Sequence, residues 1–127
     1  SVSDDVDALV GGAKAGMAFT LGGMGSATTN FYNAAYSRAG FAEVAQEVQR
    51  LWVSGDKAAA IAAVPDELVL SAYLIGTESM VRDRVRAYAA AGVDTLRLGP
   101  SGRTVRDQID HLEMSIDLIR SATAPAS

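Results

Sequence analysis

One run of this sequence, three glycines in four positions followed by a serine, has the residue types of a phosphate-binding loop. The run reads GGMGS over residues 22–26, and such loops use glycine because its backbone N–H groups can approach a phosphate closely. A Rossmann or P-loop site also needs a preceding strand, and either the proper glycine spacing or a following lysine. This run meets none of these conditions. It therefore favours a structural joint between two helices, since glycine permits turns with positive φ.

A second candidate is the loop GPSGRT at residues 99–104, which combines backbone donors, hydroxyl groups and one cation. Gly99, Ser101, Gly102, Arg103 and Thr104 could contact a polar ligand near the start of the next helix. The structural alternative is a strand-to-helix turn in which Thr104 caps that helix. The residue types alone leave both interpretations open.

His111 is the single histidine of a chain without cysteine, which excludes disulfides, thiolate chemistry and metal sites of ordinary His and Cys composition. We expect His111 to be a surface or boundary residue paired with Asp107, one helical turn earlier. The chain carries 11 Lys and Arg against 15 Asp and Glu, a net charge of −4. That balance argues against nucleic acid as a partner.

Residues 15–37 carry no charge, which superficially suggests a membrane span. Several glycines and polar side chains interrupt the stretch, and lipid would leave the backbone of such a loop unsatisfied. The acidic start SVSDDVDALV also lacks the basic region of a secretory signal. We therefore expect no membrane partner and no targeting segment, and a cytoplasmic location.

Helical periodicity dominates the first half of the chain. Its strongest apolar stripe lies over residues 41–52. The sequence also predicts a first helix that frays at Gly11 and Gly12, and a short helix over NFYNAAYSR that is capped by Ser26 or Thr28 and ends at Gly40. Two more short helices, DKAAAIAAV and PDELVLSAYL, precede residue 77.

Helix and strand signals alternate in the C-terminal part. Thr77 can cap a helix that ends at Gly92, and DTLRL at residues 94–98 alternates polar and apolar residues as a strand does. The segment VLSAYLI is a second strand candidate that competes with a helical interpretation. Because a lone strand cannot satisfy its own backbone groups, the chain looks like part of a larger structure. The fold class is mostly α with one or two short parallel strands.

The last predicted helix runs from Thr104 to about Ser121. One stripe of apolar residues is expected to face inward. Its members are Val105, Ile109, Leu112, Ile116 and Ile119.

Two long runs, GGMGSATTNFYNAAYSRAGF and VPDELVLSAYLIGTESMVRDRVRAYAAAGVDTLRLGP, resemble the C-terminal third of luciferase-like, flavin-type oxidoreductases, especially their deazaflavin-dependent branch. The resemblance extends over nearly the whole chain. Its most specific parts are GMGS followed by NFYN, the helix entry LIGTES, and AGVDTLRL before the final helix. Glu78 stands where the family commonly has proline and Ser79 where an acid is common, and neither change disturbs capping.

The resemblance implies the C-terminal piece of a (β/α)8 TIM barrel. The piece would comprise a helical insertion region over residues 1–76, the last helix-strand-helix unit over 77–121 and a disordered tail over 122–127. In such enzymes a reduced flavin or deazaflavin lies at the C-terminal mouth of the barrel and exchanges hydride with a small organic substrate. The implied cofactor is coenzyme F420, with FMN in a monooxygenase as the alternative. Most groups that hold the ring come from earlier strands, so the chain alone is expected to be inactive.

The same resemblance places the loop 99–104 after the last barrel strand, where active-site residues lie. Gly99, Ser101, Gly102, Arg103 and Thr104 are then the first candidates for substrate or cofactor contact. Gly23 and Gly25 are candidates for the rim of the same mouth. Because the family holds the cofactor phosphate mainly with upstream loops, the resemblance favours substrate contact, and it assigns no catalytic residue within this chain.

A different class of function is a non-catalytic helical interaction module. Apolar residues make up 49% of the chain, a high share for so small a body, and part of that surface is expected to meet a partner. Under either interpretation we expect a homo-oligomer.

Overall fold

A computed structural model describes residues 1–26 and 28–124. More than half of these residues are helical, which confirms the mostly α fold class. The helices are α1 (Val6–Gly22), α2 (Phe31–Tyr36), α3 (Ala42–Val53), α4 (Lys57–Ala62), α5 (Asp66–Ala72), α6 (Glu78–Ala90) and α7 (Val105–Thr123). They belong to two compact units: a helical unit, residues 7–73, and a two-helix unit, residues 1–6 and 74 onward.

Helix α1 continues through Gly11 and Gly12, so the predicted fraying is wrong. Both glycines are exposed with open space around them, whereas Val10, Met17 and Leu21 on the opposite side are buried. Burying a large apolar side chain contributes about 1.5–3 kcal/mol, and a glycine inside a helix costs about 1 kcal/mol. The buried face therefore outweighs the two glycines.

Helix α2 is capped by Asn30, not by Ser26 or Thr28 as predicted. The Asn30 side chain accepts a hydrogen bond from the Asn33 backbone N–H at 3.0 Å. The Ser26 hydroxyl instead accepts from the N–H groups of Thr28 and Thr29 in the preceding turn. After α2, a wide π-type turn over Ser37–Phe41 is broken at Gly40, whose φ is 103°. This break confirms the predicted stop.

The core of the helical unit joins α1 to the helices that follow. Trp52 of α3 lies against Gly22, where a Cβ atom would come within 2.4 Å of the Trp52 Cβ. The same ring meets Phe19 edge to face at 5.8 Å and carries the Lys57 ammonium 5.2 Å from its centre. Trp52 therefore packs within the unit, as its place on an apolar stripe indicates.

The ambiguous segment VLSAYLI divides into helix and extended chain. Its first part belongs to α5, which ends at Ala72, and Tyr73 is extended. Leu74–Gly76 then pairs with the first residues of the chain: Ser3 N–H donates to Gly76 O at 3.0 Å, and Gly76 N–H donates to Ser1 O at 3.3 Å. Val2 and Gly76 thus form a parallel bridge. Residues 1–6, which the sequence groups with the helical region, lie in the two-helix unit.

Residues 94–98 do not form the predicted strand. A strand needs a neighbour for its backbone N–H and C=O groups, and the structure records no strand pairing for this segment. Leu96 nevertheless packs against the core of the two-helix unit. Leu96 therefore makes the apolar contact that a strand residue would make, but the segment has no backbone hydrogen bonds to a partner strand among the described residues.

Helices α6 and α7 pack together through Val81, Val85, Leu118 and Ala122. Thr77 caps α6 as predicted, accepting from Met80 N–H at 3.3 Å. Helix α7 continues to Thr123, past the predicted end at Ser121, because Ala122 is buried. The rest of the predicted tail, from residue 125, lies outside the described residues.

The apolar stripe predicted to face inward on α7 is largely exposed. Val105, Ile109 and Ile116 are among the exposed large apolar residues, whereas the buried positions are Leu118 and Ala122. The reason is that α6 covers only one side of α7 in the described part of the chain. Among the described residues, no helix is both long and apolar enough to cross a membrane.

Candidate functional site

The loop at residues 99–104 leads directly into helix α7. Thr104 is the N-cap: its hydroxyl accepts from Asp107 N–H at 3.1 Å, and the Asp107 carboxylate accepts from Thr104 N–H at 3.0 Å. This reciprocal capping box is the structural alternative that the sequence left open. Arg103 is exposed, and its guanidinium forms no ion pair with the other described residues.

Gly102 is required by the backbone at this cap. Its φ is +144°, and a Cβ atom there would lie 2.5 Å from the Asp107 Cβ. Its carbonyl accepts from the Gln108 side-chain amide at 3.3 Å. The local role of Gly102 is therefore to let the chain turn tightly over the first turn of α7.

The capping box occupies part of the start of α7, where a phosphate could otherwise bind. The N–H groups of Thr104 and Asp107 are already bonded inside the capping box. Hydrogen bonds from the Thr104 side chain and from the Thr104 and Arg103 backbone hold the pKa of Asp107 below its ordinary value. The carboxylate is thus ionised near neutral pH and itself occupies the first turn of α7, where negative charge is favoured. Ser101 and Arg103 are the exposed polar side chains of this loop that lie outside the capping box.

The glycines of the GGMGS run lie at the joint between α1 and α2, as the sequence favours. A Cβ at Gly23 would lie 2.6 Å from the Phe19 ring, and Gly25 has φ +119° with the Thr29 carbonyl 2.8 Å from its would-be Cβ. These contacts are internal to the joint and give no cradle for a ligand. Gly23 and Gly25 belong to the helical unit, whereas residues 99–104 belong to the two-helix unit, and the two groups are separate candidates.

Two buried asparagines, which the sequence analysis did not single out, lock this joint. The Asn30 amide donates to the carbonyls of Thr20 and Leu21 at 3.1 and 2.8 Å. The Asn33 amide donates to Leu21 O at 3.1 Å and to Ala45 O at 2.6 Å. The end of α1 is thereby tied to both α2 and α3. The sequence shows the motif NFYN, but it does not show which groups the two asparagines bind. The carbonyl groups that accept from them lie about ten residues away on α1 and α3.

The two-helix unit also contains a cleft of about 140 Å³, which the sequence did not predict. Arg97, Gly99, His111 and Ser115 lie among aliphatic side chains in its wall. Pockets that hold drug-sized ligands measure about 300–1,000 Å³, so this cleft is too small for a flavin or deazaflavin ring.

His111 does not pair with Asp107, which contradicts the expectation from their spacing. Asp107 is engaged by Thr104, and both ring nitrogens of His111 are buried without a hydrogen-bond partner among the described residues. The buried side of α7 passes through residues 111, 115, 118 and 122 at helical spacing. That spacing could have indicated the buried side of α7. The neighbouring stripe through residues 105, 109, 112, 116 and 119 is more apolar, and the sequence analysis therefore expected it to face inward.

The described residues contain no group of three or more His, Cys, Asp or Glu side chains placed to hold a metal ion. What the loop 99–104 offers is thus one exposed cation, one hydroxyl and backbone groups on a rigid cap. This set can orient a polar substrate, and it contains no evident acid–base pair.

The sequence matches the family model described as luciferase-like monooxygenase over residues 1–95. The chain belongs to this family, as the resemblance had indicated.

A Mycobacterium tuberculosis protein named "Putative coenzyme F420-dependent oxidoreductase Rv3520c" is 38% identical over 107 residues. The match covers 84% of this chain and 31% of that protein, so the chain spans about a third of the length of this curated relative. No solved structure matches the chain significantly.

Proposed function

We propose that this chain is part of a deazaflavin-dependent oxidoreductase that transfers hydride between coenzyme F420 and a small organic substrate. The observation that carries the proposal is the 38% identity over 107 residues to a protein named for coenzyme F420. Family membership supports the broader class, an oxidoreductase of the luciferase-like type.

The two-helix unit supports a barrel arrangement for the complete enzyme. Leu74–Gly76 is extended and pairs in parallel with the first residues, α6 follows directly, and Leu96 then returns to the same helical core. Extended chain, helix and extended chain in this order form the repeating element of parallel α/β folds. We propose that residues 94–98 become a strand when a neighbouring strand is present.

In that arrangement the loop 99–104 follows a barrel strand and contacts substrate rather than the cofactor phosphate. The capping box at the start of α7 already uses the N–H groups of Thr104 and Asp107, which argues against a phosphate there. Ser101 and Arg103 are the exposed polar groups, and we propose that Arg103 orients a polar or anionic substrate group. Gly23 and Gly25 serve the joint in the helical unit, and we propose no ligand contact for them.

An FMN-dependent monooxygenase is the second candidate, because the matching family carries the description of a monooxygenase. The two candidates differ in the cofactor. The test is a fluorescence titration of the longest reading frame that contains this sequence, with F420 and with FMN in parallel. Tight saturable binding of F420 and weak binding of FMN is the expected result, and the reverse order would establish the second candidate.

Arg103→Ala in the same protein separates substrate from cofactor contact. We expect KM for the substrate to rise at least about tenfold, as for a charged hydrogen bond of about 1.5–3 kcal/mol, with F420 affinity unchanged. Arg106→Ala is the matched control, because Arg106 is exposed and paired with Asp110 on α7. Equal effects of the two substitutions would exclude a specific role for Arg103.

A further inference from the structure

His111 is a buried polar group that the proposed hydride transfer does not use. Both of its ring nitrogens are buried, and neither has a hydrogen-bond partner among the described residues. Leaving a buried donor or acceptor unpaired is unfavourable, and native structures contain few such groups. The neutral imidazole carries one N–H donor and one acceptor nitrogen. A hydrogen-bond partner for this ring is therefore expected in the complete enzyme.

The wall of the cleft beside His111 offers few polar groups. The Ser115 hydroxyl donates to the His111 carbonyl at 2.7 Å, and the Ser1 amino group donates to the Leu74 carbonyl at 3.1 Å. Residues 97–99 also line the cleft, and their backbone groups form no turn or strand hydrogen bond within the described part of the chain. These residues are thus the best source of a partner for the ring. The rest of the wall is aliphatic: Val2, Leu74, Val81, Leu118 and Ile119.

Helix α7 already holds the far end of the loop 99–104. The Gln108 side-chain amide donates to the Gly102 carbonyl at 3.3 Å. Gln108 and His111 are three positions apart and therefore lie on the same side of the helix. Gly99, the first residue of the loop, lines the cleft together with His111. One side of α7 thus carries a polar group near each end of the loop.

We propose that His111 is a positioning residue whose ring N–H donates to a backbone carbonyl of residues 97–99 and so fixes the start of the loop 99–104. The partner is a backbone group because the Arg97 side chain is exposed, whereas the ring nitrogens are buried. The inference rests on the proposed function, in which the loop follows a strand and Arg103 contacts substrate. Loss of this bond lets the loop shift, and a displacement of about 1 Å at a substrate-binding group is costly.

Steady-state kinetics of the longest reading frame that contains this sequence test the role. His111→Leu removes the N–H but keeps an apolar side chain, and KM for the substrate is expected to rise roughly three- to tenfold, as for a neutral hydrogen bond, with kcat changed less. His111→Gln keeps an N–H donor and is expected to restore KM to within about twofold.

Leu118→Ala is the control for lost packing, because Leu118 is buried and lines the same cleft. It is expected to lower Tm without raising KM. An unchanged KM in His111→Leu, a failure of His111→Gln to restore it, or equal rises in His111→Leu and Leu118→Ala would overturn the proposal.

A spectroscopic test depends on neither substrate nor cofactor. In the same protein with isotope-labelled histidine, the ring NMR signals of His111 are those that disappear in His111→Gln. We expect one fixed tautomer, with a ring N–H that exchanges slowly with water and lies near the protons of residues 97–99. Two tautomers in rapid exchange, or a ring N–H near other residues only, would overturn the proposal. The expected signals in a protein that does not bind F420 would support the hydrogen bond and refute only the proposed function.

Discussion

The single residue Asn33 connects three helices: it lies on α2 and bonds to α1 and α3. It is buried, and its amide bridges the carbonyls of Leu21 and Ala45 on two different helices. Its removal takes away two buried hydrogen bonds, each of which contributes about 0.5–1.5 kcal/mol net.

We therefore expect Asn33→Ala to lower the free energy of unfolding by about 1–3 kcal/mol in urea denaturation. Gln46→Ala is the control, because Gln46 is an exposed amide on α3 and such substitutions stay within about 0.5 kcal/mol. Similar losses for both variants would mean that the bridge contributes nothing specific.

Alanine substitutions at Gly102 and Gly55 can separate two costs of replacing a glycine, the unfavourable backbone conformation and the steric contact of the added Cβ. Both have positive φ, +144° and +91°, but a Cβ meets Asp107 at Gly102 and open space at Gly55. Gly55→Ala is expected to cost about 1–2 kcal/mol from backbone conformation alone. Gly102→Ala is expected to cost more and to reduce the helicity of α7 in circular dichroism. Equal losses would show that the Asp107 contact relaxes freely.

At the scale of elements, helix α7 depends on its capping box, and this dependence varies with pH. The pKa of Asp107 is lowered in the folded chain, so its contribution to stability is present above about pH 4, the ordinary value for aspartate. That contribution is lost as pH falls through the lowered pKa.

Asp107→Asn is therefore expected to lower Tm at neutral pH, with the difference from the native chain disappearing in strong acid. Asp117→Asn on the same helix is the control, since the Asp117 carboxylate has no hydrogen-bond partner among the described residues. Thermal melts between about pH 2 and pH 7, on either side of the ordinary aspartate pKa, measure both. A Tm difference that does not change with pH would contradict the assigned role.

Local sequence signals predicted the elements whose determinants lie within one turn. Thr77 and Gly92 bound α6 because an N-cap and a positive-φ glycine act on adjacent residues. The extended pairing of Ser3 with Gly76 could not be predicted in this way, because the two residues lie at opposite ends of a long intervening segment. The alternation of polar and apolar residues at 94–98 is also a local signal, whereas a strand forms only beside another strand that pairs with its backbone.

The candidate site was predicted only in part for the same reason. Thr104 as a cap follows from the residues beside it, and the structure confirms it. The bonding of Asn33 to Leu21 and Ala45, and the cleft beside His111, depend on how distant segments pack. The substrate role of Arg103 stays a prediction.

At the scale of the whole molecule, catalysis in a barrel draws on the ends of several strands, and the described residues contain no sheet beyond one parallel bridge. We expect no measurable hydride transfer by this 127-residue chain alone, with turnover recovered in the longest reading frame that contains it. Absorbance of F420 over time with candidate substrates measures both. Turnover by the chain alone at a comparable rate would show that its residues suffice.

The paired ends of the helical unit carry a consequence for how this protein can change over evolution. The chain leaves the two-helix unit after Val6 and re-enters it at Leu74, and the flanking residues Ser3 and Gly76 are joined by a hydrogen bond. A segment whose entry and exit lie side by side can be lengthened, shortened or exchanged without moving the residues that flank it. Residues 7–73 are thus expected to tolerate a change of length or sequence as a single segment while the pairing of Ser3 with Gly76 is kept.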